Sequence, residues 1–148
     1  MATHRSDQAG FTAQERAAMT ERATELRTAA ARRGKNTKAE DEKGVLEKIA
    51  ELEASDRLIA ERFHEIVRTA APHLDPKLWY GMPAYAVHGK VVCFFQGAKK
   101  FTTRYSTVGF TDAAQLDDGA MWPTAFAVTE LTPAVEERLG ELVRRAAG

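Results

Sequence analysis

Ala84-Tyr-Ala-Val-His-Gly-Lys-Val-Val-Cys-Phe-Phe-Gln96 is the stretch on which the fold turns. His88-Gly-Lys90 reads as a hairpin turn, because His and Gly tolerate the positive φ that a tight turn between twisted strands requires. It joins a strand over 84–87 to a second over 91–96. The second strand, Val-Val-Cys-Phe-Phe, is apolar without alternation, which predicts a central strand covered largely on both faces. Working outward, Gly97-Ala-Lys-Lys100 reads as the next turn. Phe101, Thr103, Tyr105 and Thr107 then alternate with Lys100, Thr102, Arg104 and Ser106, the pattern of a half-exposed strand. Residues 112–118 read as a short helix or a loop over the sheet edge, and 124–128 as one more strand.

Helices flank this region. Thr132-Pro133 starts the last one, with Thr132 as N-cap and Pro133 at the first helical position. Val135, Leu139, Leu142, Val143 and Ala146 form its core face, and Arg144 and Arg145 suit its C-terminal dipole. Before the strands, Ser55 is expected to cap a helix ending ahead of Pro72. There Leu58, Ile59, Phe63, Ile66, Val67 and Ala70 form a core-facing stripe. A helix over 39–52 precedes it, with Val45, Leu46, Ile49 and Leu52 on one side and Lys43 paired with Glu47 on the other. Helices, then strands, then a helix predict an α+β, two-layer fold: a small, mostly antiparallel sheet with helices packed on one side.

Ahead of this body, residues 1–10 are small and polar and are expected to lack order. Thr12-Ala-Gln-Glu15 reads as a capping box opening an N-terminal helical arm that runs to Arg33, with Gly34 as its left-handed cap. Met19 and Leu26 are almost its only large apolar residues, which predicts a loosely attached solvated helix, with a homodimer contact as the alternative. Residues 34–38 read as a linker. The division is therefore 1–38 for tail, arm and linker, and 39–148 for the α+β domain.

Bulk properties narrow the function classes. The chain has 148 residues, with 21 Lys and Arg against 21 Asp and Glu and a net charge of zero. Without a basic surplus to displace phosphate counterions, nucleic-acid binding is not expected. The single Cys93 forms no internal disulfide, which suits a reducing interior. No apolar run has the length of a membrane span, and the N-terminus lacks an export core, so the expectation is a soluble cytoplasmic protein.

Three segments carry a resemblance: Leu78-Trp-Tyr-Gly-Met-Pro-Ala-Tyr85, Gly89-Lys-Val-Val-Cys-Phe-Phe95 and Met121-Trp-Pro-Thr-Ala-Phe-Ala-Val-Thr-Glu-Leu131. In order and spacing they resemble the YdhG-like domain-of-unknown-function family, over about residues 43–146. The resemblance implies an α+β fold with a small antiparallel sheet. It also implies the role described for some members: an intracellular, frataxin-like chaperone that carries iron and hands it to iron-accepting proteins.

The residues themselves offer several sites to weigh. Iron needs hard oxygen ligands, sometimes with imidazole. Glu40-Asp41-Glu42 and Glu136-Glu137 lie in first turns of helices, where acids stabilise the dipole without a metal. Asp117 and Asp118 precede Gly119 in a turn; of the acidic pairs they are the candidate metal residues, being close in sequence to Trp122. Glu61-Arg-Phe-His64 has the spacing used in di-iron bundles, but one copy supplies too few ligands, so it reads instead as a surface ion pair or an edge histidine. Cys93 with His88 is weighed as a nucleophile pair and read instead as a buried structural thiol. No nucleophile elbow, Walker loop or dinucleotide fingerprint is present, so no enzyme is expected. The remaining candidate is an aromatic cleft. Trp79, Tyr80, Met82, Tyr85 and Trp122 would wall it, with Lys90, Lys100 or Arg104 at the rim, and it would take an anionic or planar small molecule or a peptide. Plain architecture at one end of the sheet is the competing account of the same rings.

Overall fold

The computed structural model describes residues 10–31 and 37–148, so the expectations for most of the N-terminal tail, for Gly34 as a cap and for most of the linker lie outside the described residues. Among the described residues five helices and five strands follow one another as α1 (Ala13–Ala31), α2 (Thr37–Ala50), α3 (Ala54–Ala70), β1 (Asp75–Trp79), β2 (Met82–Val87), β3 (Lys90–Gln96), α4 (Ala98–Phe101), β4 (Ser106–Phe110), β5 (Ala125–Val128) and α5 (Pro133–Ala147). The sheet is an antiparallel meander in the order β1-β2-β3-β4-β5. The α+β expectation is thus borne out, and β3 is the central strand its unbroken apolar run predicts.

Two-residue turns set the first two hairpins of the meander. His88 and Gly89 both have positive φ, at 49° and 81°, and Tyr80 and Gly81 repeat this at 53° and 75°. Such backbone matches the strand twist of a hairpin. The first hairpin brings in β1, a strand that sequence reading misses because Asp75-Pro76 looks like a breaker. Pro76 fits because β1 is an edge strand, where a missing N–H costs no ladder bond.

Period-two alternation sorts the side chains by face. Tyr85, Cys93 and Phe110 are register partners across β2, β3 and β4, and all three are buried in the core beneath the helices. Phe63 on α3 meets Tyr85 edge-on, with ring centroids 5.7 Å apart. Val45 and Ile49 of α2, Val67 of α3 and Leu139 and Val143 of α5 complete that core. On the opposite face, Ala84, Phe94, Gly109 and Ala125 are register partners. A Cβ on Gly109 would lie 2.2 Å from the Phe94 ring, so this glycine is what lets the ring lie across β4.

Three expectations need correction. Residues 101–105 do not continue as a strand: α4 occupies 98–101, Thr102 turns through the left-handed region, and β4 begins only at Ser106. The cause is a distant carboxylate. Asp56, only 2 % exposed, accepts the backbone N–H of Lys99 at 3.0 Å and of Lys100 at 3.1 Å, and so holds the chain in a helical turn. Second, Ser55 does not cap α3; Glu53 stands at that position without a side-chain bond. Third, Leu58 and Leu46 are exposed rather than core-facing. By contrast, Thr132 accepts the Val135 N–H at 3.2 Å and Thr12 accepts the Glu15 N–H at 3.1 Å, as their capping patterns predict.

Candidate functional site

The residues expected to wall and rim one aromatic cleft are distributed over five places. Trp79, Tyr80 and Met82 stand at the tip of the first hairpin, where the Trp79 ring packs 5.2 Å from Tyr80 and 5.3 Å from Phe94. Tyr85 lies on the opposite face, in the core. Lys90 is exposed at the start of β3, beside the second hairpin turn. Trp122 is half-buried and shares a shallow recess with Asp117, while Asp118 is exposed. Arg104 belongs to a separate groove, and Lys100 is bound to the Gly81 carbonyl at 2.8 Å.

Glu61 and His64 also part company. Glu61 faces Arg57 at 3.9 Å on the surface, whereas His64 is buried. Its Nδ1 lies 2.9 Å from the Tyr85 hydroxyl and its Nε2 3.4 Å from the Glu42 carboxylate, which Arg68 also approaches at 3.6 Å. All partners are satisfied when Tyr85 donates to Nδ1 and Nε2–H donates to Glu42. Burial raises the Tyr85 pKa well above its usual value, which keeps that donor proton in place. Burial is also the main influence on His64, lowering its pKa below 6.5, with the Glu42 carboxylate opposing. Cys93 is buried beside Tyr85, and burial pushes its thiol pKa up, so a thiolate nucleophile is not available there.

The His64 arrangement sets a pH dependence. Because the folded chain binds this proton less readily than the unfolded chain, the unfolded state holds more protons as pH falls through the ordinary histidine range. This contribution to stability is therefore complete above about pH 7 and is lost as pH drops toward the lowered folded value. We expect unfolding free energy measured from pH 7.5 to 5 to decline in the native chain. The decline should be shallower in His64→Gln; equal slopes would refute the assignment.

Among the described residues no group of three or more His, Cys, Asp or Glu side chains is placed to hold a metal ion. Nor is any helix there long and apolar enough to cross a membrane.

The concave feature of note is a groove of about 590 Å³ between α3, α4, the ends of β4 and β5, and the approach to α5. Leu58, Ile59, Ala98, Val128 and Leu131 supply an apolar bed. Asp56 shapes one end by fixing α4, as its carboxylate is committed to backbone N–H groups. Arg62, half exposed in the lining, is paired with Glu65 and Glu136 and neutralised by them. Lys99 and Arg104 are the other cations, and among the described residues neither is paired with a carboxylate. The Arg104 guanidinium lies over the Tyr105 ring, 5.2 Å from its centroid. The arrangement suits a molecule with an apolar body and one anionic group.

Of the groove residues, sequence reading singled out Arg104 for a ligand site. Periodicity assigns Leu58 to the core-facing stripe of α3, and only the structure shows it 69 % exposed and in the groove. Lys99 and Asp56 carried no signal, because their proximity spans 43 residues of sequence.

No family model, curated protein or solved structure matches this chain.

Proposed function

We propose that this protein is a non-enzymatic binding module that takes an amphipathic organic anion in the groove between α3, α4 and β5. The observation that carries this reading is the meeting of an apolar bed with two cations, Lys99 and Arg104, that pair with no carboxylate among the described residues, in a volume of ligand size. The apolar wall would bury the ligand body, and a guanidinium held against Tyr105 would fix the anionic group with charge-assisted hydrogen bonds. The iron-carrying role implied by the YdhG-like resemblance requires a set of oxygen ligands, so the groove supports organic-anion binding better.

Anilinonaphthalene sulfonate, an aromatic body with one sulfonate, is a suitable probe. We expect saturable binding at one site, weakened about tenfold or more in Arg104→Glu, a loss of roughly 1.4 kcal/mol or greater. Trp79→Ala, on the first hairpin, should leave it unchanged. Unsaturable binding, or equal affinity in Arg104→Glu, would remove this reading.

A further inference from the structure

The first hairpin turn is built as an acceptor of carboxylates. In a two-residue turn with positive φ at both positions, the N–H groups of the two central residues point away from the ladder. Here those residues are Tyr80 and Gly81, and both N–H groups donate to one carboxylate, that of Glu25 on α1, at 3.0 and 2.8 Å. One turn earlier on the same helix face, Glu21 accepts from Lys48 at 3.3 Å and from Lys100 at 3.2 Å. Lys100 is itself held at the turn by the Gly81 carbonyl. Gly81 has φ 75°, where an L side chain is strained, and a Cβ there would displace the Glu21 carboxylate. Arg22 lies over the Tyr80 ring at 5.5 Å, and Gln14 donates to Thr102 at 3.1 Å.

For both carboxylates the donors belong to the α+β body and the acceptors to α1, whereas the Gln14–Thr102 bond runs the other way. Apolar packing of the helix adds little to these contacts. Met19 is 41 % exposed and Leu26 55 % exposed, so apolar burial contributes little to its docking. Exposed or half-exposed ion pairs are individually weak. A helix attached in this way is displaceable, and the surface beneath it has a defined specificity: two carboxylates four residues apart on one helix face.

We propose that the β1–β2 turn, with Lys48 and Lys100, is a recognition site for a helix carrying a Glu-x-x-x-Glu pair. It is filled by α1 of its own chain and is open to α1 of a second copy. A second copy presents the same Glu21 and Glu25, and its charge complementarity to the turn is the one already formed within the chain.

The test uses the full chain carrying Glu21→Gln and Glu25→Gln, isotopically labelled, and a synthetic peptide of residues 11–31. A tethered helix experiences an effective concentration near the millimolar range, so titration to about 2 mM peptide covers the affinity at issue. We expect saturable shifts of the Tyr80 and Gly81 amide signals. They should weaken about tenfold or more with a peptide bearing both Gln substitutions, and likewise with the native chain, whose own α1 competes. A folded double variant whose Tyr80 and Gly81 signals stay fixed, or respond equally to the Gln peptide, would overturn the site. Light scattering decides the source of the helix. A mass that rises with concentration in the native chain and not in the double variant supports exchange between copies. A constant monomer mass in both overturns exchange.

Discussion

Replacing Asp56 with alanine is expected to lower the unfolding free energy by about 3 kcal/mol, at the upper end for loss of a buried charged acceptor. The side chain is 2 % exposed, and its two oxygens receive the Lys99 and Lys100 N–H groups across three contacts of 3.0 to 3.3 Å. Alanine would leave those donors facing a small void from which the carboxylate has gone. Gly97 confirms how close the fit is, since a Cβ there would approach Asp56 Oδ2 to 2.4 Å. Asp56→Asn keeps one acceptor oxygen and should lose roughly half as much. Because α4 forms one wall of the groove, probe affinity should fall in parallel with stability. Urea unfolding measures the first effect, and a loss below about 1 kcal/mol would mean that the turn holds itself without Asp56.

Phe63→Ala should cost more, about 3–5 kcal/mol, the range for truncating a fully buried phenylalanine. Phe63 has no solvent exposure and is among the largest buried side chains. Its ring also braces Tyr85, whose hydroxyl meets His64, so the cavity would open beside a buried polar pair. A companion substitution separates packing from helix propensity. Leu58→Ala lies on the same helix but is largely exposed, and should change stability by no more than about 0.5 kcal/mol. Comparable losses at both positions would contradict the facial assignment of α3.

Much of the fold is legible locally. His88-Gly89 turns as its residue types require, and Thr132-Pro133 caps and opens α5 with the expected bond. Phe63, Ile66 and Val67 are buried as their spacing implies, and β3 is central because five apolar residues in a row need cover on two faces. The aromatic segments around Trp79 and Trp122, so conspicuous in the sequence, lie in separate parts of the sheet layer and do not form one cleft. Their spacing in the chain carries no information about whether their rings meet.

The class of fold, the central strand and the caps follow from local sequence, since each rests on neighbours within a few residues. The tertiary structure alone decided that residues 98–101 form a helical turn, that Pro76 sits in an edge strand, and that Lys99 and Arg104 share a groove with Leu58. It also decided that α1 docks through Glu21 and Glu25 rather than through Met19 and Leu26. For three of these the deciding partner is remote, as with Asp56 and Lys99, 43 residues apart, or Glu25 and Gly81, 56 apart, while Pro76 depends on one side of β1 being left unpaired. Periodicity and propensity report which face of an element is apolar, but a carboxylate acting on a distant backbone N–H leaves no trace in either.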